Sequence, residues 1–197
     1  MGLDETQGFL RAALGGADTA RGDLLEHLRP RLVLWTAGRL SAALRAQVEP
    51  EDVAQDILLA VHKDFSGFQG EDTRGFFKWF FTVAENRIRD LADHYGALKR
   101  QLPPPLSFSQ TSPSNAAARS EQVTLMMAAI ARLPEDHRQV IVLRKIEERP
   151  AGEVALILGR SENAVGILLC RALKQLSEAL RAEKLAGSDG SAPTLPS

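Results

Sequence analysis

The sequence predicts an all-α protein made of two small helical domains joined by a Pro/Ser-rich linker. Ala, Leu, Arg and Glu dominate the composition and aromatic residues make up only 6% of it, which favours helices over strands. A chain of 197 residues suffices for one large domain or two small ones. Residues 99–120 carry three consecutive prolines and scattered serines, which neither continue a helix nor bury much surface. We therefore predict a first domain over residues 1–98, a flexible linker over 99–120, a second domain over 121–185 and a disordered tail over 186–197.

The distribution of charge is uneven although the formal net charge is only −1. Residues 1–73 sum to −5, residues 74–100 to +3 and residues 101–197 to +1. An acidic half next to a short basic stretch favours two partners, one a protein and the other a polyanion. Charges on solvated helix faces would produce the same sums, so charge alone leaves both interpretations open.

Metal, cofactor and membrane sites have no signal in the sequence. Cys170 is the single cysteine, so it cannot form an internal disulfide, and no Cys/His group has the spacing of a zinc site. No apolar run approaches the roughly 18 residues that a membrane helix needs, and the first residues carry acids where a signal peptide carries bases. We therefore expect a cytoplasmic protein with no metal, no cofactor and no membrane insertion.

The first domain is expected to hold three or four packed helices. A helical pattern covers residues 20–47. The next helix, "EPEDVAQDILLAVHKDF", starts with Pro50 and acidic residues, which suit a helix N-terminus. Its apolar residues recur at helical spacing, and its opposite face shows Asp52, Gln55 and Asp56.

A Gly-rich polar loop over residues 66–75 leads into a helix with an unusual number of aromatic residues. The stretch "FFKWFFTVAENRIRDLADHY" places rings all around this helix, so the rings must be buried or must bind something flat. A buried aromatic core with a basic end is the simpler interpretation. The alternative is a surface on which unpaired bases stack and phosphates meet basic side chains. The basic candidates for that surface are Arg74, Lys78, Arg87, Arg89, Lys99 and Arg100.

The second domain has the spacing of a helix-turn-helix motif. Helices are predicted over "EQVTLMMAAIARL" and "PEDHRQVIVLRKI", the latter opened by Pro134. A short helix, "PAGEVALIL", begins at Pro150 and ends at Gly159. Ser161 is a suitable N-cap for a long last helix that runs to about Lys184. A short helix, a turn with glycine and a long helix are the elements of a helix-turn-helix.

Catalytic chemistry has little support in the sequence. Asp52 and Asp56 lie four residues apart on one helix face, but His62 lies off that face and no second ligand helix is evident. The other histidines are isolated, and Cys170 has no sequence neighbour that would activate it. A solvated or protein-binding face is the better interpretation of the acidic residues, and we do not expect an enzyme.

Two patterns, in this order and with this linker, resemble the two conserved domains of bacterial RNA polymerase sigma factors of the small extracytoplasmic-function (ECF) group. The stretch "EDVAQD" with the apolar helix after it is similar to the family's polymerase-docking helix in region 2. The stretch "FFKWFFTVAENRIRD" matches the family's aromatic and apolar pattern followed by Asn86 and Asp90. Residues 133–176 resemble region 4, the family's helix-turn-helix domain. The resemblance covers roughly residues 20–184.

The resemblance implies a sigma factor that directs core RNA polymerase to promoters and helps to open the minus-10 element. Asp52, Gln55 and Asp56 would face the clamp helices of the polymerase's largest subunit. The aromatic helix and the loop before it would hold the non-template strand, with one base flipped into a pocket near the loop. An anti-sigma factor is a further partner that the family context raises and the sequence does not identify. The residues implied for minus-10 DNA are Arg74, Lys78, Trp79, Asn86, Arg87 and Arg89.

The predicted recognition helix departs from the family's pattern. The family usually has Thr, Lys, Ser and Arg at the positions of Ala164, Gly166, Ile167 and Leu168. We therefore expect weak or loosely specific recognition of the minus-35 element, with promoter choice resting more on the first domain. The helix N-terminus itself attracts phosphate. The candidates that remain to contact minus-35 DNA are Arg160, Ser161, Asn163, Arg171 and Lys174.

Three alternatives stay open. A helix-turn-helix regulator that binds duplex DNA without polymerase would explain the second domain but not the acidic and aromatic helices, and co-purification with core polymerase separates the two hypotheses. A degenerate sigma-like adaptor that binds only protein would suit the apolar recognition helix, and transcription by a reconstituted holoenzyme would exclude it. A helical metal-dependent hydrolase is the third, and its ligand set is absent from the sequence.

Overall fold

The structure, a computed structural model, describes residues 3–16, 18–101 and 121–188. Within these ranges it contains helices and no strand, which confirms the predicted all-α class. The chain forms two compact units, one built from α1–α5 apart from residues 37–39, and one from α6–α9. The helices, in chain order, are α1 (Leu3–Leu14), α2 (Asp18–Arg39), α3 (Ala42–Arg45), α4 (Pro50–Asp64), α5 (Thr73–Gln101), α6 (Glu121–Ala131), α7 (Glu135–Ile141), α8 (Ala151–Leu158) and α9 (Glu162–Ser188). A 3-10 turn (Phe65–Gly67) follows α4, and a π-helical segment (Val142–Ile146) follows α7.

Aromatic rings form part of the core of the first unit, beside many leucine, isoleucine and valine side chains. Trp35 is fully buried, and its ring centroid lies 5.5 Å from that of Phe81. The guanidinium carbon of Arg31 lies 4.1 Å from the centroid of the Phe77 ring, a cation–π contact of about 1–2 kcal/mol when desolvated. Phe76 and Phe80 are also buried. The four phenylalanines of α5 therefore belong to the buried core, and they do not form a surface on which bases could stack.

Helix α1 has no counterpart among the predicted helices, so the described part of the first unit holds five helices rather than three or four. Its inward side chains are Thr6, Leu10 and Ala13, all with no exposed surface. They recur at helical spacing, which is the signal that could have identified the helix. The ring of Phe9 stacks on that of His27 in α2, with centroids 4.5 Å apart.

Three predicted boundaries differ from the structure. Helix α5 begins at Thr73, inside the predicted loop, because the Asp72 carboxylate accepts a hydrogen bond from the Gly75 N–H at 2.6 Å and caps the helix. Residues 99–101 of the predicted linker are helical, because Lys, Arg and Gln favour helices and the prolines begin only later. Residues 186–188 of the predicted tail extend α9, because each residue added to an existing helix gains one backbone hydrogen bond without a new nucleation step. The rest of the linker and tail lies outside the described residues.

Helices α7 and α9 pack together in the second unit. The Nδ1 atom of His137 lies 2.5 Å from the Oε1 atom of Gln175. Arg138 is only 8% exposed and donates to the carbonyl oxygen of Leu133 at 3.2 Å, which satisfies a carbonyl group just after α6. These contacts orient the helix-turn-helix on the remaining helices of the unit.

The turn of the helix-turn-helix has both predicted caps. Helix α8 ends at Gly159, which has φ of 61° and ψ of 36°. The Ser161 hydroxyl accepts a hydrogen bond from the Ala164 N–H at 3.2 Å and caps α9. The predicted end of one helix and start of the next are therefore confirmed.

Alanine substitutions at two glycines are expected to change stability in opposite directions. Gly159→Ala should lower the free energy of unfolding by about 1–2 kcal/mol, because an L side chain is strained at positive φ. Gly166→Ala should raise it by about 0.5–1 kcal/mol, because Gly166 lies inside α9 and a Cβ there meets no atom within 4 Å. Urea unfolding of both variants checks the prediction, and shifts of the same sign would contradict it.

Candidate protein and nucleic-acid interfaces

An acidic face lies on α4, and we define it by Asp52, Gln55 and Asp56. All three side chains are exposed, and spacings of three and four residues place them on the same side of the helix. Val53 and Ile57, on the other side, are buried. The structure thus brings together the three residues proposed for polymerase binding.

Arg29 of α2 contacts the acidic face through Gln55. It donates from Nη1 to the Oε1 atom of Gln55 at 2.5 Å and from Nη2 to Glu26 at 2.6 Å. The hydrogen bond from Arg29 lowers the pKa of Glu26 from its usual 4.5. A carboxylate with a depressed folded-state pKa stabilises the fold above its ordinary pKa and loses that contribution as the pH falls. At neutral pH the bridge is intact, so Gln55 is oriented before any partner binds.

Leu59 was missed by the sequence interpretation. It is 50% exposed and lies three residues after Asp56 and four after Gln55, on the acidic face. Isolated exposed leucines are common, but this one lies among charged and polar side chains that all point outward. Helical spacing alone could have identified it.

A basic face lies on α5, and we define it by Arg74, Lys78, Asn86 and Arg89. All four are exposed, and a rotation of about 100° per residue places them within an arc of about 120°. The Asn86 Oδ1 atom accepts a hydrogen bond from the Arg89 Nη1 atom at 3.0 Å. Trp79 lies at the margin of this arc.

The other basic candidates do not join this face. Arg87 is exposed. Residues two positions apart in a helix lie about 160° from each other around its axis, so Arg87 points away from Arg89. Residues 99 and 100 belong to α5, but their side chains lie outside the described part of the chain. The structure therefore brings together five of the six residues proposed for minus-10 DNA and separates Arg87 from them.

Trp79 and the loop before α5 share one aromatic cluster. The Trp79 ring is half-buried, and its centroid lies 5.6 Å from that of Phe68 and 5.8 Å from that of Phe76. A Cβ on Gly70 would lie 2.7 Å from the Phe68 ring, so any larger residue at this position would require that ring to shift. Phe68 and Trp79 each keep part of their ring exposed beside the basic face.

The recognition helix α9 presents a mixed surface. Asn163, Arg171 and Lys174 are exposed and available to a ligand. Two other minus-35 candidates make contacts within the unit, because Arg160 lies 2.5 Å from a carboxylate oxygen of Asp136 and Ser161 caps the helix.

Large apolar side chains are exposed on the same motif. Ile167 of α9 is 48% exposed and lies one turn after Asn163. Leu156 and Ile157 of α8 are 85% and 51% exposed. The helix-turn-helix therefore shows fewer free polar groups and more apolar surface than direct reading of base edges favours.

No group of three or more His, Cys, Asp or Glu side chains within the described ranges could hold a metal ion. None of the helices described is long and apolar enough to cross a membrane.

Comparison with known proteins shows which families this chain resembles. The family model for sigma-70 region 4 matches residues 124–176. The ECF RNA polymerase sigma factor SigD of Mycobacterium tuberculosis (strain ATCC 25618 / H37Rv) is 25% identical over 169 residues, covering 84% of this chain and 79% of that protein. The RNA polymerase sigma factor CarQ of Myxococcus xanthus is 29% identical over 169 residues, covering 84% of this chain and 91% of that protein.

A solved structure of the sigma factor RpoE in complex with the anti-sigma factor NepR, from Bartonella quintana, matches 81% of this chain and 96% of that chain at 19% identity, with a TM-score of 0.46. The region 4 match coincides with the helix-turn-helix unit, and the sequence relatives extend the similarity over most of the first unit. The chain is therefore similar to ECF RNA polymerase sigma factors over most of its length.

Proposed function

We propose that this sigma factor docks on core RNA polymerase through the acidic face of α4 and holds the melted minus-10 element on the basic face of α5. The observation that carries the proposal is the presence of both faces, exposed and of opposite charge, on consecutive helices of one compact unit. Docking on one face then presents the other to DNA. We assign residues 1–98 to region 2 and residues 121–185 to region 4.

Docking uses fixed charges on a rigid helix. Asp52 and Asp56 supply negative charge, and Gln55 is oriented by Arg29. Complementary charges speed the encounter and fix the register of two proteins. Leu59, exposed at the end of this face, adds apolar area that becomes buried when a partner covers it.

Holding the melted strand requires stacking and phosphate contacts. Trp79 and Phe68 offer partly exposed rings, and stacking of a base on an aromatic ring contributes about 1–3 kcal/mol. Arg74, Lys78 and Arg89 offer positive charge to the phosphates. These contacts favour the unpaired strand over the duplex, so the chain needs no catalytic residue for promoter opening. We propose that it acts in the cytoplasm, on the polymerase bound to the chromosome.

Region 4 is proposed to bind minus-35 DNA with low selectivity. Adding a lysine at the open position 166 should strengthen binding, and Gly166→Lys is expected to steepen the dependence of log affinity on log salt by about 0.9, the effect of one added phosphate contact on duplex DNA. A Cβ at this position meets no atom within 4 Å, so the side chain fits. Holoenzyme binding to duplex minus-35 DNA at several salt concentrations measures the change.

Ser177→Lys is the matched control, because Ser177 is exposed on α9 but lies three turns further from the helix N-terminus. An equal steepening in both lysine variants would show that the added charge acts at long range and that position 166 does not lie against DNA.

An adaptor that binds only protein has one observation in its favour, which is the exposed apolar surface on α8 and α9. The experiment that separates it from a sigma factor is reconstitution with core polymerase. The proposal expects a stable complex that binds promoter DNA carrying a pre-melted minus-10 segment. A complex with polymerase that gains no affinity for this DNA would favour the adaptor.

A further inference from the structure

Gln7 of helix α1 hydrogen-bonds to the loop before α5 and to the first residue of that helix. Its Oε1 atom accepts a hydrogen bond from the Thr73 N–H at 2.9 Å and another from the Thr73 hydroxyl. Its Nε2 atom donates to the carbonyl oxygen of Glu71 at 3.1 Å. A single amide therefore joins the last part of the loop before α5 to the first residue of the helix, across 66 residues of sequence.

The loop is fixed at two further points. Its start is held by Phe68, whose ring centroid lies 5.4 Å from that of Phe76, and by the close approach of that ring to Gly70. Its end is held by the hydrogen bond from the Gly75 N–H to Asp72. Gln7 is the only one of these anchors in the described structure that comes from outside the loop and α5.

The contacts of Gln7 fix the backbone without contributing to the core. Thr73 is 5% exposed, so its N–H and hydroxyl need partners inside the protein, and Gln7 supplies one acceptor for both. Gln7 itself is only half-buried, and the packing of α1 rests on Leu10 and Ala13. Removing the amide should therefore loosen the loop more than it destabilises the fold.

We infer that Gln7 is a positioning residue for promoter opening: it holds the 68–72 loop and the Trp79 cluster in the shape that receives an unpaired minus-10 base. The inference rests on the proposed function. A pocket for an extruded base has to be ordered before the base arrives, because each loop residue that is ordered on binding weakens the complex. An anchor from a separate helix provides that order without occupying the DNA-facing surface.

The test compares Gln7→Met, which keeps side-chain length and removes the amide, with Glu5→Ala, an exposed change on the same helix. The DNA probes are promoters selected by the unmodified holoenzyme, intact or carrying a single abasic site at each minus-10 position. We expect Gln7→Met to reduce open-complex formation about tenfold, the value of one to two net hydrogen bonds, and Glu5→Ala to have no effect. The tenfold difference between Gln7→Met and the parent should vanish when the abasic site is at one particular minus-10 position, because that promoter lacks the base that the loop would hold.

Two measurements separate the outcomes. Hydrogen exchange on the isolated chain should show faster exchange of the Thr73 amide in Gln7→Met, with unchanged exchange in α2. Open-complex formation equal to that of the parent, or a loss that persists at every abasic position, would overturn the inference and leave the proposed function standing. A parent holoenzyme that opens no promoter would overturn the proposed function and this inference with it.

Discussion

Reversing two charges on the acidic face, Asp52→Arg with Asp56→Arg, is expected to weaken binding to core RNA polymerase by at least about 100-fold. In the proposed docking, the change replaces two attractive contacts by two repulsive ones, and a loss of about 3 kcal/mol is modest for closely apposed charges at an interface. Both side chains are exposed in the free protein, so the fold should be retained. Titration of fluorescently labelled protein with core polymerase measures the effect, and circular dichroism checks helix content.

The matched control is Asp23→Arg with Asp64→Arg, which changes the net charge by the same amount at two exposed positions. Asp64 lies at the end of α4 but about 120° around the helix from Asp52, off the acidic face. The control should bind polymerase as the parent does. Equal weakening in both pairs would mean that total charge, and not this face, governs assembly.

Removing three cations from the basic face, Arg74→Ala with Lys78→Ala and Arg89→Ala, is expected to produce the second large effect. Each phosphate contact on single-stranded DNA contributes about 0.7 to the slope of log affinity against log salt. The triple variant in holoenzyme should therefore bind pre-melted minus-10 DNA with a slope reduced by about 2, and its open complexes should be correspondingly fewer. Binding to core polymerase should not change.

Arg87→Ala is the control for this experiment, because Arg87 has the same charge and is exposed but points away from Arg89. Its salt slope should match that of the parent. If Arg87→Ala instead reduces the slope of log affinity against log salt by about 0.7, the value of one phosphate contact, the DNA wraps further around α5 than we propose.

The sequence was sufficient for features whose cause is local. Helical spacing identified α4 with its acidic face. Gly159 and, two residues later, Ser161 identified the end of α8 and the N-cap of α9. These features depend on residues within one or two helical turns of each other. The division into two domains followed from the prolines between them.

Features with a non-local cause could not be predicted in the same way. The start of α5 at Thr73 depends partly on Gln7, which is distant in sequence. The burial of the phenylalanines of α5 depends on helices packed against them from elsewhere in the unit. The separation of Arg87 from the basic face, by contrast, follows from the helical rotation and was available from the sequence.

In the recognition helix α9 and the turn before it, the sequence identified the departures from the family pattern, and the structure identified an ion pair. The replaced positions 164, 166, 167 and 168 were evident from the sequence, but the use of Arg160 in an ion pair with Asp136 was not. That pair crosses from α7 to the turn before α9 and is set by tertiary packing. It engages, within the unit, one of the five side chains proposed for minus-35 DNA.

Run-off transcription with core RNA polymerase on a library of random promoters is the decisive measurement for the proposed sigma-factor function. We expect transcripts that require both this chain and core polymerase, from promoters that share a minus-10 sequence and only a weak minus-35 sequence. Transcripts that arise equally without the chain, or a complete absence of transcripts from a holoenzyme shown to assemble, would contradict this function.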